Sequence, residues 1–190
     1  MLVALAMVIA IVAALLSARH EGDGSPQTRL DWVRAIAFWV FTIVVVFEMV
    51  AGGIWDLLGI EPVRVTSTRL GYPLYLLYIL GIPKLLCAAA LLAPRFARLK
   101  EWAYAGAFFN YTVAAASHLL AGSSGGMWIA PLAFAAFTMG SWALRPATRK
   151  SPGSIPTTTP MRAVTWYVPV LILAEMAVVA LLTLPKGAPQ

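Results

Sequence analysis

Residues Trp32–Leu57 read WVRAIAFWVFTIVVVFEMVAGGIWDL, a mostly apolar run whose one interior charge is Glu48. A helix crossing a bilayer core needs about 20 such residues, so this stretch is long enough to span one. Working outward, the same test finds six runs: Met1–Ala18, Trp32–Leu57, Gly71–Leu92, Leu99–Ala121, Met127–Leu144 and Met161–Leu184. Polar or turn-rich breaks separate them, among them Glu21–Pro26, the hairpin Gly122–Gly126 and the long stretch Arg149–Pro160. The predicted fold class is all-α, a polytopic membrane helical bundle of about six transmembrane helices. The first run lacks a leading basic segment and a small-x-small cleavage pattern before Arg19, so it reads as a helix rather than a removed signal.

Composition supports this. Of 190 residues, 61% are hydrophobic and 12% charged, and the mean hydropathy is +0.81. A soluble domain carries roughly 25% charged residues, twice what this chain has to cover a surface. The net charge of +6 forms no stripe, because the basic residues are scattered between apolar runs. Nucleic acid is therefore not an expected partner; membrane lipids and other membrane subunits are. Ten basic residues fall on one side of the alternating spans: Arg19, Arg29, Arg34, Arg95, Arg98, Lys100, Arg145, Arg149, Lys150 and Arg162. Only Arg64, Arg69 and Lys186 fall on the other. By the positive-inside rule the protein is integral to the cell membrane, with its basic loops cytoplasmic and both termini outside. Trp32, Trp55, Trp102, Trp128, Trp142 and Trp166 sit near span ends, where interface anchors belong.

Charges inside the bilayer cost about 2.5–3.5 kcal/mol each and tend to face the bundle interior. Glu48, Lys84, His118 and Glu175 occupy such positions, joined by the uncharged Asn110. At about 1.5 Å per residue from the basic end, Lys84 lies roughly 12 Å up its helix, Asn110 16 Å, Glu175 21 Å, Glu48 24 Å and His118 28 Å. Two polar layers follow: an outer carboxylate–imidazole pair, Glu48 with His118, and an inner ammonium–amide layer of Lys84 and Asn110 that Glu175 can reach. Glu48 is either ionised beside a donor or protonated and neutral.

The fourth run carries a polar and small stripe, with Tyr104, Tyr111 and His118 at seven-residue spacing and Ala103, Ala107 and Ala114 alongside. Such a face meets other helices or lines a ligand cavity. Pro83, just before Lys84, predicts a kink in the third run. Glu48, Gly52 and Trp55 share a face, and the glycines there allow close helix approach. The candidate ligand-binding set is thus Glu48, Lys84, Asn110, Tyr111, His118 and Glu175. The lone Cys87 excludes an internal disulfide and a multi-cysteine metal site and reads as a small buried hydrophobe. No phosphate-binding loop, zinc spacing or serine elbow is present. His20 and His118 lie too far apart to share a haem.

Several strings resemble the DoxX-like family of small membrane proteins: Leu70-Gly71-Tyr72-Pro73, Ile79-Leu80-Gly81-Ile82-Pro83-Lys84, Lys100-Glu101-Trp102-Ala103-Tyr104-Ala105-Gly106, and Ser141-Trp142-Ala143-Leu144-Arg145-Pro146. The resemblance implies a four-helix core over residues 32–146, preceded by an N-terminal helix and cytoplasmic loop (1–31) and followed by a cytoplasmic linker and C-terminal helix (147–190). Where the family pattern usually carries glycine, this chain has Cys87. Family members are linked by name to a thiosulfate:quinone oxidoreductase subunit, and more distant similarity reaches emopamil-binding-type sterol isomerases. Two functions are expected on that basis. The first is an accessory or structural subunit of a larger membrane complex, a redox complex being one candidate. The second is a quinone- or lipid-binding oxidoreductase component or isomerase. There Glu48 and His118 would act as acid and base and Lys84 would hold a carbonyl, with a quinone or lipid as the bound group.

Overall fold

Thirty residues of unbroken helix, α1 (Arg29–Leu58), form the spine of the protein in a computed structural model that describes residues 3, 7–12, 15, 29–94, 96–146 and 164–185. A run rich in β-branched residues, Ile43 to Val46, holds as helix here because lipid offers the backbone no other hydrogen-bond partners. Four more long helices follow: α3 (Tyr75–Leu92), α4 (Ala97–Leu120), α5 (Ile129–Leu144) and α6 (Val164–Leu182). Between α1 and α3 lies a short one, α2 (Glu61–Arg69). Everything described is helix, turn or irregular chain.

α1 packs against α3, α5 and α6, while α4 packs against α3 and α5. The helices α1, α3, α4 and α5 thus close a ring, with α6 laid on its α1–α3 side. Phe38, Val45 and Met49 of α1 are buried in the core, as are Leu91 of α3, Tyr111 of α4 and Ala135 of α5. α1 and α3 are long and apolar enough to cross a bilayer; α5 and residues 166–182 of α6 are shorter apolar helices. Outward faces carry Tyr78, Leu86, Phe109, Val113 and Leu171, all exposed, a surface far more apolar than water tolerates.

Most of the first expected span lies outside the described residues. Residues 7–12 are helical, and Ala10 is wholly buried against the core with Met7, Ile11 and Leu15 beside it. The loops at 21–26 and 149–160 also lie outside the described residues.

Two boundaries differ from expectation. Gly59 has φ +56°, which ends α1 and turns the chain back into α2. Pro62 starts α2, where its missing donor costs nothing, and Thr66 and Thr68 hydroxyls bond the carbonyls of Pro62 and Arg64. This helix is too short and too polar to register as an apolar run. The third run begins at Tyr75 rather than Gly71, because Gly71 at φ +80° forms a turn. α3 then runs unbroken through Pro83.

At the end holding Arg34, Arg98 and Arg145, a polar chain ties α1, α4 and α5 together. The Thr42 hydroxyl donates to Phe38 O at 2.7 Å and shares a hydrogen bond with Ser141 Oγ, also 2.7 Å. Ser141 shares another with Tyr104 OH at 2.8 Å. Above Tyr104 the Arg145 guanidinium lies 5.1 Å from the ring centre and donates to Glu101 and to Trp142 O. Lys100 Nζ donates to Ala93 O and so closes the α3–α4 loop. Ser141→Ala is expected to cost about 1 kcal/mol, since it removes the shared partner of two buried hydroxyls. Unfolding in mixed detergent–dodecyl sulfate micelles reads this directly. Tyr104→Phe added to Ser141→Ala should cost little more, and a full additive loss would show that the two hydroxyls do not share one bond.

Candidate functional site

Glu48, Gly52 and Asp56 stand at i, i+4 and i+8 on α1, in one line along the helix. Side chains on a helix lean towards its N-terminus. α1 and α3 run antiparallel, so Asp56 and Lys84 lean towards each other, and Lys84 Nζ donates to Asp56 Oδ2 at 2.8 Å. The two side chains are only 15% and 7% exposed. Gly52 makes room for this pair. A Cβ there would lie 3.3 Å from Lys84 Nζ and 3.1 Å from Glu48 Oε1, so the ammonium and the second carboxylate flank the same bare stretch of backbone.

Across the ring, the Tyr111 hydroxyl donates to Glu48 Oε2, and the Tyr111 ring stacks on Phe134 with centroids 5.4 Å apart. That bond joins α1 to α4, which sit diagonally in the ring. These groups border a half-open cavity of about 1090 Å³ between α1, α3 and α4, with Ala130, Pro131 and Phe134 of α5 on one wall. α2 covers one end of it through Pro62, Val63 and Thr66. Next to that cover, Tyr72 OH and Ser117 Oγ share a hydrogen bond of 2.7 Å.

Glu48, Lys84, Asn110, Tyr111 and His118 all border this one cavity, whereas Glu175 on α6 is not part of its lining. The expected pairings change. Glu48 bonds Tyr111 rather than His118, whose Nδ1 shares a 3.2 Å hydrogen bond with Ser123 in the α4–α5 turn. Lys84 pairs with Asp56 rather than with Glu175. Lys84 therefore joins the outer layer with Glu48, because the long lysine stem carries its ammonium outward past Gly52. Asp56 was missed. It reads as a span-end residue, yet its spacing of two helical turns from Glu48 places it on the same face.

Asn110 stands apart from this network. Its amide borders the cavity, and among the described residues it has no side-chain hydrogen bond. Lys84 Nζ uses one of its three donors on Asp56. Chemically the cluster offers a hydroxyl–carboxylate pair able to pass a proton, an ammonium able to hold an electron-rich oxygen, and an amide that both donates and accepts. Cys87 Sγ donates to Ala103 O at 3.3 Å and borders the same space.

A model of the DoxX-like family matches residues 40–141. The chain belongs to that family. It is a small membrane protein, and its helices form an all-α bundle. The DoxX-like match starts within α1 and ends within α5, so every residue lining the cavity except Pro185 falls inside it, while α6 and the N-terminal helical residues fall outside. Comparisons with curated proteins and with solved structures return no match.

Proposed function

We propose that this DoxX-like protein binds an uncharged lipophilic molecule with a hydrogen-bonding head, a quinone or a lipid with hydroxyl or carbonyl groups, in the cavity between α1, α3 and α4. Glu48, Asp56, Lys84, Asn110, Tyr111 and His118 surround the head. The observation that carries this reading is Asn110, which lines the cavity at membrane depth and whose side chain has no hydrogen bond among the described residues. Asn110 is half-buried, and a molecule with a hydrogen-bonding head gives its amide a partner that lipid tails do not. The head is uncharged because Lys84 already has Asp56, and a second anion would add to the repulsion from Glu48. The volume of about 1090 Å³ is just above the roughly 300–1,000 Å³ usual for small-molecule sites. By the positive-inside rule the end holding Arg34, Arg98 and Arg145 faces the cytoplasm in this reading.

The expectation of a subunit in a larger complex draws on the helices added outside the four-helix core, the small loops and the lack of a complete catalytic constellation. Ala10, Ile172, Met176 and Ala180 in those helices are buried within the chain's own bundle. One face of these helices seals the fold, while Val8, Ile9, Tyr167, Val170, Leu171 and Val178 stay exposed on the other.

Native mass spectrometry of the full chain, released from its own membranes in mild detergent, tests the proposal. The wild type should carry a bound neutral lipophile, and Asn110→Leu, which keeps the size but not the amide, should lose it. A ligand-free wild type, or an Asn110→Leu protein that retains the molecule undiminished, would rule the reading out.

A further inference from the structure

The cavity is divided along its length, and the division specifies the shape of its occupant. Its acidic, basic and phenolic groups lie from the level of Lys84 and Asn110 up to the α2 cover: Glu48, Asp56, Tyr72, Lys84, Tyr111 and His118. Towards the opposite, arginine-bearing end the walls become apolar. Leu86 and Ala90 of α3 stand across from Leu99, Ala103, Gly106 and Ala107 of α4, with the Cys87 thiol, turned to Ala103 O, and the exposed Trp102 indole as the side-chain heteroatoms. This lower half runs from Asn110 to Leu99, about 16 Å of helix. That is about half of a 30 Å hydrocarbon core, the depth of one leaflet. It is a groove because α4 presents small residues there. A Cβ added to Gly106 would have nothing within 4 Å, so the space in front of it is open.

α2 and the Tyr72–Ser117 bond close the cavity at the polar end, whereas Leu80, Leu86, Trp102, Phe109 and Val113 border it with exposed apolar side chains. Those borders lie among the faces directed at lipid, so access is lateral, from within the bilayer between α3 and α4.

We infer that the ligand is a single-tailed amphiphile that enters sideways between α3 and α4, places its head among Glu48, Lys84 and Asn110, and lays its tail along the Leu99–Ala107 groove towards the arginine-bearing end. This rests on the proposed ligand-binding reading and adds the tail, its direction and its route. One tail of leaflet length fills the groove; a two-chain phospholipid has a second tail and a charged head for which the site has no counterpart.

The test uses the full chain in phosphatidylcholine nanodiscs with a monoacylglycerol that carries a diazirine near the end of its tail. After irradiation, adducts are located by peptide mass spectrometry. Adducts should concentrate on residues 86–90 and 99–107. Gly106→Phe, which projects a ring into open space without a backbone clash, should abolish them while adducts on the outer face of α5, at Leu132 and Met139, persist. Adducts clustering instead near Ser117 and His118, labelling spread evenly over every lipid-facing helix, or groove labelling untouched by Gly106→Phe would each overturn the inference. Asn110→Leu separates the two claims. Loss of groove adducts in Gly106→Phe but not in Asn110→Leu upholds the tail groove and rejects the assigned head site, and the converse rejects the groove alone.

Discussion

Lys84→Met should unfold at a much lower dodecyl sulfate fraction than the wild type, with a loss of about 3–5 kcal/mol, the cost of stranding a buried carboxylate. The carboxylate is Asp56. Its side chain is 7% exposed, and its ammonium partner at 2.8 Å is the one salt bridge between described residues in the upper half of the bundle. Methionine preserves the length and apolar stem of lysine, so packing against Gly52 survives and the charge is what is removed. Asp56→Leu in the same chain should then restore most of the loss, because the desolvation of both ions disappears together with their attraction. The measurement is a cycle of four proteins: wild type, both single variants and the double variant. A Lys84→Met protein as stable as wild type would mean that Asp56 is solvated, and would remove the pair from the interior of the site.

This pair also marks the boundary of what the sequence discloses. Charges are scarce in these runs, so Glu48, Lys84 and His118 stand out, and the small and polar stripe on α4 singles out Asn110 and Tyr111. All five border one cavity. Their partners are another matter. Pairing depends on which helices touch and how far a side chain leans, and linear depth along each helix carries neither. Lys84 counted by its Cα belongs to a lower level than Asp56, yet four methylenes directed at the N-terminus of α3 bring the charge up to it. Glu175 has the same local signature as Glu48, an acid in an apolar helix, and differs only because α6 packs outside the ring on the α1–α3 side. α2 escapes an apolar-run reading for a simpler reason. Its backbone turns on Gly59 and Pro62, and its hydroxyls bond back to its own carbonyls, so it needs no hydrophobic run to form.

The second large effect concerns how tightly α1 and α3 meet, since that contact sets the geometry of the ion pair. Gly53 and Gly81 face each other across it. A Cβ on Gly81 would lie 3.0 Å from Gly53 O and 2.8 Å from Leu57 Cγ, and one on Gly53 would lie 3.0 Å from Gly81 O. A leucine tip can rotate away, but a carbonyl held in the α1 backbone cannot, so an added methyl must push the helices apart. Gly81→Ala is therefore expected to cost about 1–3 kcal/mol, the range for overpacking a close-fitted contact. Gly106→Ala, a chemically identical change in the middle of α4, meets nothing within 4 Å and should stabilise by about 0.5–1 kcal/mol through backbone entropy and helix propensity. The opposite signs make the comparison decisive, because any general effect of removing a glycine from a membrane helix acts on both. Gly81 lies one turn from Lys84, and Gly53 adjoins Gly52, so separating the helices also stretches the 2.8 Å contact from Lys84 to Asp56. Gly81→Ala should thus lower retention of the bound lipophile in native mass spectra along with stability, whereas Gly106→Ala leaves the ion pair intact. If Gly81→Ala proves neutral on both counts, α1 and α3 do not meet closely enough for their backbone contact to position the site.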